Sequence, residues 1–121
     1  MTLPPVKFKK VKRDQAVELQ ALLTEYLQLQ AQDLTHQQSV RFHSAVQDVA
    51  LIIELYLVLR TKLESRKPQF SLSLKVQHAV ILLFACNKCF LQDGSYKSLT
   101  ALVFINEIDQ QLKSLNVNLQ F

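Results

Sequence analysis

The sequence predicts an all-α fold: a four-helix up-down bundle, with short extended N- and C-terminal segments able to form a small β element. Three observations carry this expectation. One Gly and three Pro among 121 residues are too few turn-formers for a many-stranded sandwich or barrel, or for a glycine-rich phosphate loop. A composition of 49% hydrophobic and 20% charged residues suits a folded chain with one core. Apolar residues also recur at spacings of three and four through each long segment.

Residues 1–13 read as a basic N-terminal arm. Lys7, Lys9, Lys10, Lys12 and Arg13 place five cations there without an acid, while the other nine Lys and Arg face ten Asp and Glu. The chain is therefore a nearly neutral body, residues 14–115, with a cationic extension and an extended tail at 116–121. Such an arm can attract nucleic acid, an anionic membrane or an acidic protein partner, or it can serve only to keep the chain soluble.

Helix 1 is expected from Asp14, an N-cap residue type, to about Asp33. Leu19, Leu22, Tyr26 and Leu29 form its apolar stripe, widened by Leu23, Leu27 and Leu34. Thr35 and Gln38 have the form of a capping box opening helix 2. Phe42, Ala45, Val49, Ile52, Tyr56, Leu59 and Leu63 then make a heptad seam. A second stripe, Val46, Ala50, Ile53 and Leu57, lies beside it, and a third, Leu51, Leu55 and Val58, lies almost opposite.

A helix apolar nearly all round must be covered on most sides. Helix 2 is thus expected to be either the central helix or part of a subunit interface, with Val49, Ile52, Ile53, Tyr56, Leu57 and Leu59 as interface residues of a homo-dimer or other homo-oligomer. Pro68 ends it near Arg66. Arg60, Lys62, Arg66 and Lys67 cluster there, suiting the negative end of the helix dipole or offering a second polyanion patch.

Residues 70–76 alternate like a strand, yet Leu72, Val76, Ala79, Leu83, Cys86 and Phe90 continue a heptad seam. A helix over about Ser71–Gln92 is favoured, with the strand alternative open at its start. Gly94 is read as its left-handed C-cap. Ser95 caps helix 4, whose buried stripe is Ala101, Ile105, Ile108, Leu112 and Leu115. The alternating ends, Val6, Phe8 and Val11 at one and Leu115–Phe121 at the other, either pair with each other or a second subunit, or stay irregular.

No motif assigns chemistry, so the chain is expected to be non-enzymatic, with no cofactor and no metal. Cys86-Asn-Lys-Cys89 lacks further zinc ligands of suitable spacing. It also closes a helix, where the dipole has the wrong sign to activate a thiol. His36, His43, Gln47, Glu54 and Thr61 read as a solvent- or interface-facing strip of helix 2. Glu54, set among apolar neighbours, is expected to be partly buried, with Arg41, Arg60 or Lys75 as partner. The apolar run Val49–Leu59 is shorter than a bilayer requires. With no leader recognised, a soluble cytoplasmic protein without a membrane partner is expected.

Overall fold

The computed structural model describes residues 3–35, 40–90 and 93–118. Its elements are β1 (Val6–Lys12), α1 (Arg13–Asp33), α2 (Phe42–Glu64), β2 (Gln69–Leu74), α3 (Val76–Lys88) and α4 (Tyr96–Asn118). The fold is therefore mostly helical, with four helices and one small antiparallel sheet.

The sheet corrects two expectations. The N-terminal segment does form a strand, but it pairs with residues 69–74 and not with the C-terminus, where α4 stays helical through Asn118. The tail beyond it, residues 119–121, lies outside the described residues. Residues 70–74 are strand and not the start of helix 3. Leu72 and Leu74 turn inward while Ser71 and Ser73 stay exposed, so two-residue periodicity prevails once a partner strand is present to bond the backbone.

The cationic arm is likewise built into the fold. Val6, Phe8 and Val11 are buried core residues, whereas Lys7, Lys9, Lys10 and Lys12 are exposed. A regular strand starting with Val6 and Phe8 inward would bury Lys10 and expose Val11. The register shift between Phe8 and Val11 absorbs one residue as a β-bulge, which keeps all three apolar side chains inward and both lysines in water.

α1 follows directly. Lys12 is its N-cap, and the Gln15 Oε1 accepts the Lys12 N–H at 3.0 Å. Asp14, expected at the cap, lies in the first turn, where its charge still suits the dipole. Ala16, Leu19, Leu22, Leu23 and Tyr26 are buried, while Leu29 is exposed.

Thr35 serves the other helix from the one expected. Its N–H and hydroxyl both donate to the Gln32 carbonyl, at 3.3 and 2.7 Å, so it finishes α1 instead of opening α2, which begins at Phe42. Gln38, the other half of the expected box, lies outside the described residues. α2 ends with Ser65 as C-cap and Arg66 left-handed at φ 59°. The Arg66 N–H returns to the Leu63 carbonyl at 3.2 Å, and Pro68 prevents further helix.

Gly94 is left-handed, at φ 70°, but it does not stop α3. Cys89 is the C-cap, and Gly94 sits in the turn before α4. There Asp93 Oδ1 accepts the Ser95 N–H at 2.9 Å, and Ser95 Oγ accepts the Ser98 N–H at 3.2 Å. The Ser95 amide above all, then the Ser95 and Ser98 side chains, hold the Asp93 carboxyl below its ordinary range.

The core gathers Leu19, Leu22 and Leu23 of α1, Ile52, Leu55 and Leu59 of α2, Leu72 and Leu74 of β2, Ile81 and Leu82 of α3, and Phe104 and Ile108 of α4. The Phe8 and Phe104 rings meet at 4.9 Å, fastening β1 to α4. Both α1 and α3 pack on each of the other three helices, whereas the principal helix contacts of α2 are with α1 and α3 alone. α2 is therefore peripheral, and of the two positions open to it the central one falls to α1 and α3.

Candidate functional site

The apolar circumference of α2 divides into two faces. Ala45, Ile52, Leu55 and Leu59 are buried. On the other side Val46, Ala50, Ile53 and Leu57 are exposed, Ile53 at 47% and Leu57 at 50%. Their spacings of four, three and four are those of a coiled-coil seam. Of the expected interface residues, Ile53, Tyr56 and Leu57 stand at the surface and Val49 is half-buried, but Ile52 and Leu59 belong to the core.

The surface is also wider than α2. The half-buried Leu27 of α1 joins Ile53, Tyr56 and Leu57 around an apolar notch of about 180 Å³, which the buried Leu23 also lines. The α1 contribution and the exposure of Val46 and Ala50 are what sequence reasoning missed. The stripe was visible as a pattern, but nothing in it told which of three apolar stripes would face outward.

Polar bonds fix α2 against its neighbours. The Gln30 amide of α1 donates to Asp48 Oδ2 at 2.6 Å and to the Tyr26 hydroxyl at 3.2 Å. Burial first, then the Asp48 and Cys89 charges, push the Tyr26 phenol above its ordinary value. On the other flank Glu54 Oε2 lies 2.7 Å from His78 Nε2 of α3. The expectation for Glu54 is thereby corrected: its side chain is 61% exposed, and its partner is a histidine only 8% exposed. Arg60 instead pairs with Glu64 at 3.4 Å. His43, Gln47, Glu54 and Thr61 all face solvent, and His36 lies outside the described residues.

By length and composition Phe42–Glu64 is apolar enough to cross a bilayer, which the run Val49–Leu59 alone understates. Only 22% of its most apolar window is buried in the fold. The helix nevertheless supplies core residues and two cross-helix polar bonds, so this arrangement needs it inside the bundle.

Cys86 and Cys89 are buried free thiols. Burial, reinforced by Cys89, pushes the Cys86 thiol up to about 12, and burial likewise raises Cys89. Both stay protonated near neutrality and pack as small apolar groups. No group of three His, Cys, Asp or Glu side chains that could hold a metal occurs among the described residues.

Because the folded Cys86 value lies above the ordinary 9.0, its contribution to stability is complete below about pH 9 and fades as pH rises towards about pH 12. Urea midpoints should accordingly show wild type losing about 1 kcal/mol more than Cys86→Ala between about pH 8 and about pH 10. Equal losses would contradict the thiol's burial.

The expected polyanion set is divided. Lys7, Lys9, Lys10 and Lys12 project from β1. Arg13 turns inward, its Nη1 donating to the Leu63 carbonyl at 2.6 Å, and its backbone N–H donates to the Pro68 carbonyl at 2.9 Å. It thus closes the C-terminal end of α2, whose free carbonyls a cation suits. Comparison with known protein families, with curated proteins and with solved structures finds no match for this chain.

Proposed function

We infer that the protein is a non-enzymatic assembly module that self-associates through the exposed stripe of α2. The carrying observation is the solvent-facing series Val46, Ala50, Ile53 and Leu57 on a helix whose opposite face already fills the core. A second copy is the occupant this stripe suits, because the stripe is self-complementary. About a two-fold axis between Ala50 and Ile53, an antiparallel copy sets Val46 against the partner's Leu57 and Ala50 against the partner's Ile53. Each pair matches a larger side chain with a smaller one.

Val49 and Tyr56 flank the seam towards α1, and Gln47 and Glu54 form a polar rim towards α3. An up-down order of the helices would fit this reading. α2 packs on α1 and α3, and the side turned from them is left as its outward face. From Val46 to Leu57 the seam spans about 17 Å, at the short end for a stable interface even with the half-buried Leu27 added, so micromolar affinity is expected.

Ile53→Glu with Leu57→Glu is the testing variant. Both positions are exposed in the protomer, so folding should survive. A dimer would bury four unpaired carboxylates, and affinity should fall by at least about 100-fold. Light scattering after gel filtration measures this. Unchanged association of a folded double variant would refute the seam.

A further inference from the structure

A groove of about 660 Å³ lies between β1 and α4 and shares no lining residue with the α2 stripe. One wall carries Lys7, Lys9 and Lys10; the other carries Val103, Phe104 and Glu107. The geometry points to this groove as a docking site for an extended acidic segment of a partner protein, one in which acidic and apolar residues alternate.

The backbone of β1 supplies the first reason. The Lys7 N–H donates to Gln111 Oε1 at 2.9 Å, and the Lys7 carbonyl accepts from Gln111 Nε2 at 2.7 Å. β1 therefore turns an open edge towards α4, and a side-chain amide stands there in the place of a peptide group. An incoming strand can take over both bonds, as in β-strand addition.

Charge and apolarity choose the chemistry. Among the described residues no carboxylate pairs with Lys7, Lys9 or Lys10. Val103 is 53% exposed opposite them. An extended peptide presents alternate side chains to opposite sides. Carboxylates on one side would meet the lysines, and apolar groups on the other would cover Val103. A nucleic-acid strand fits less well, since its phosphates could pair with the lysines but would leave Val103 without an apolar partner.

The probe is a fluorescein-labelled peptide alternating Glu and Val, titrated with the full chain and followed by anisotropy. A Lys-Val peptide and an oligouridylate of equal charge magnitude serve as comparisons. The Glu-Val peptide should bind best and weaken with salt. Affinity should fall about tenfold in Lys9→Ser with Lys10→Ser, and several-fold in Val103→Ser. Gln111→Ala should tighten binding several-fold by removing the competitor for the strand edge, an effect that loose charge attraction would not give. No binding of the Glu-Val peptide, indifference to the lysine or Gln111 variants, or tighter binding of the oligouridylate would overturn the proposal. The substituted lysines and Val103 are exposed, and a urea midpoint for each variant verifies its fold.

Discussion

Phe8→Ala should destabilise the protein by about 3–5 kcal/mol, the range for truncating a large aromatic side chain in a core. Phe8 is buried between the sheet and α4, with its ring centroid 4.9 Å from that of Phe104 in a tilted pair. Its loss removes buried apolar area and opens a cavity that the surrounding leucines can fill only in part. Among the described residues β1 has only β2 as a strand partner, so a weakened Phe8 contact also loosens the backbone pairing from Val6 to Lys12. Lys9→Ser and Lys10→Ser, one and two residues away but exposed, should each change stability by less than about 0.5 kcal/mol. Urea unfolding measures the set. Were residues 1–13 a dispensable arm, all three variants would behave alike.

Leu55→Ala and Leu57→Ala should separate as sharply on α2. Leu55 is fully buried and faces the core, so its truncation is expected to cost about 2–5 kcal/mol. Leu57 is half exposed on the outer stripe, so its truncation should cost less than about 1 kcal/mol in dilute protein, where the protomer alone is measured. The reverse should hold for association, with Leu57→Ala weakening the dimer. Two leucines two positions apart thus report on different structures, one the fold and the other the assembly. Chemical denaturation at low concentration, paired with light scattering at high concentration, distinguishes them. Equal destabilisation by both would place the stripe inside the protomer.

What could be read in advance followed the range of the interactions concerned. The stripe of α1, the Ser95 cap of α4 and the end of α2 before Pro68 rest on neighbours a few residues away, and local spacing exposes them. The strand at Gln69–Leu74 was visible as alternation, but its stability depends on Val6–Lys12, some sixty residues earlier, and a heptad pattern competed for the same leucines. The bulge between Phe8 and Val11 explains a spacing that read simply as lysines interleaved with apolar residues.

The site was harder still to read. Glu54 finds His78 on another helix, 24 residues away, and no local pattern links them. Arg13 was grouped with the lysines beside it, yet the end of α2 takes it out of that set. On α2 itself three apolar stripes compete, and only the packing of α1 and α3 decides which is left outside. Ile52 and Leu59 were placed on the interface for that reason. Their neighbours Ile53 and Leu57 were read in the same way and do stand exposed.

Sedimentation equilibrium of the wild-type chain from low to high micromolar concentration, at low and at high salt, tests self-association through α2 most directly. An apolar seam predicts a monomer–dimer equilibrium in the micromolar range that persists or strengthens with salt. A single monomeric species throughout, or a dimer that dissolves as salt screens charge, would contradict it.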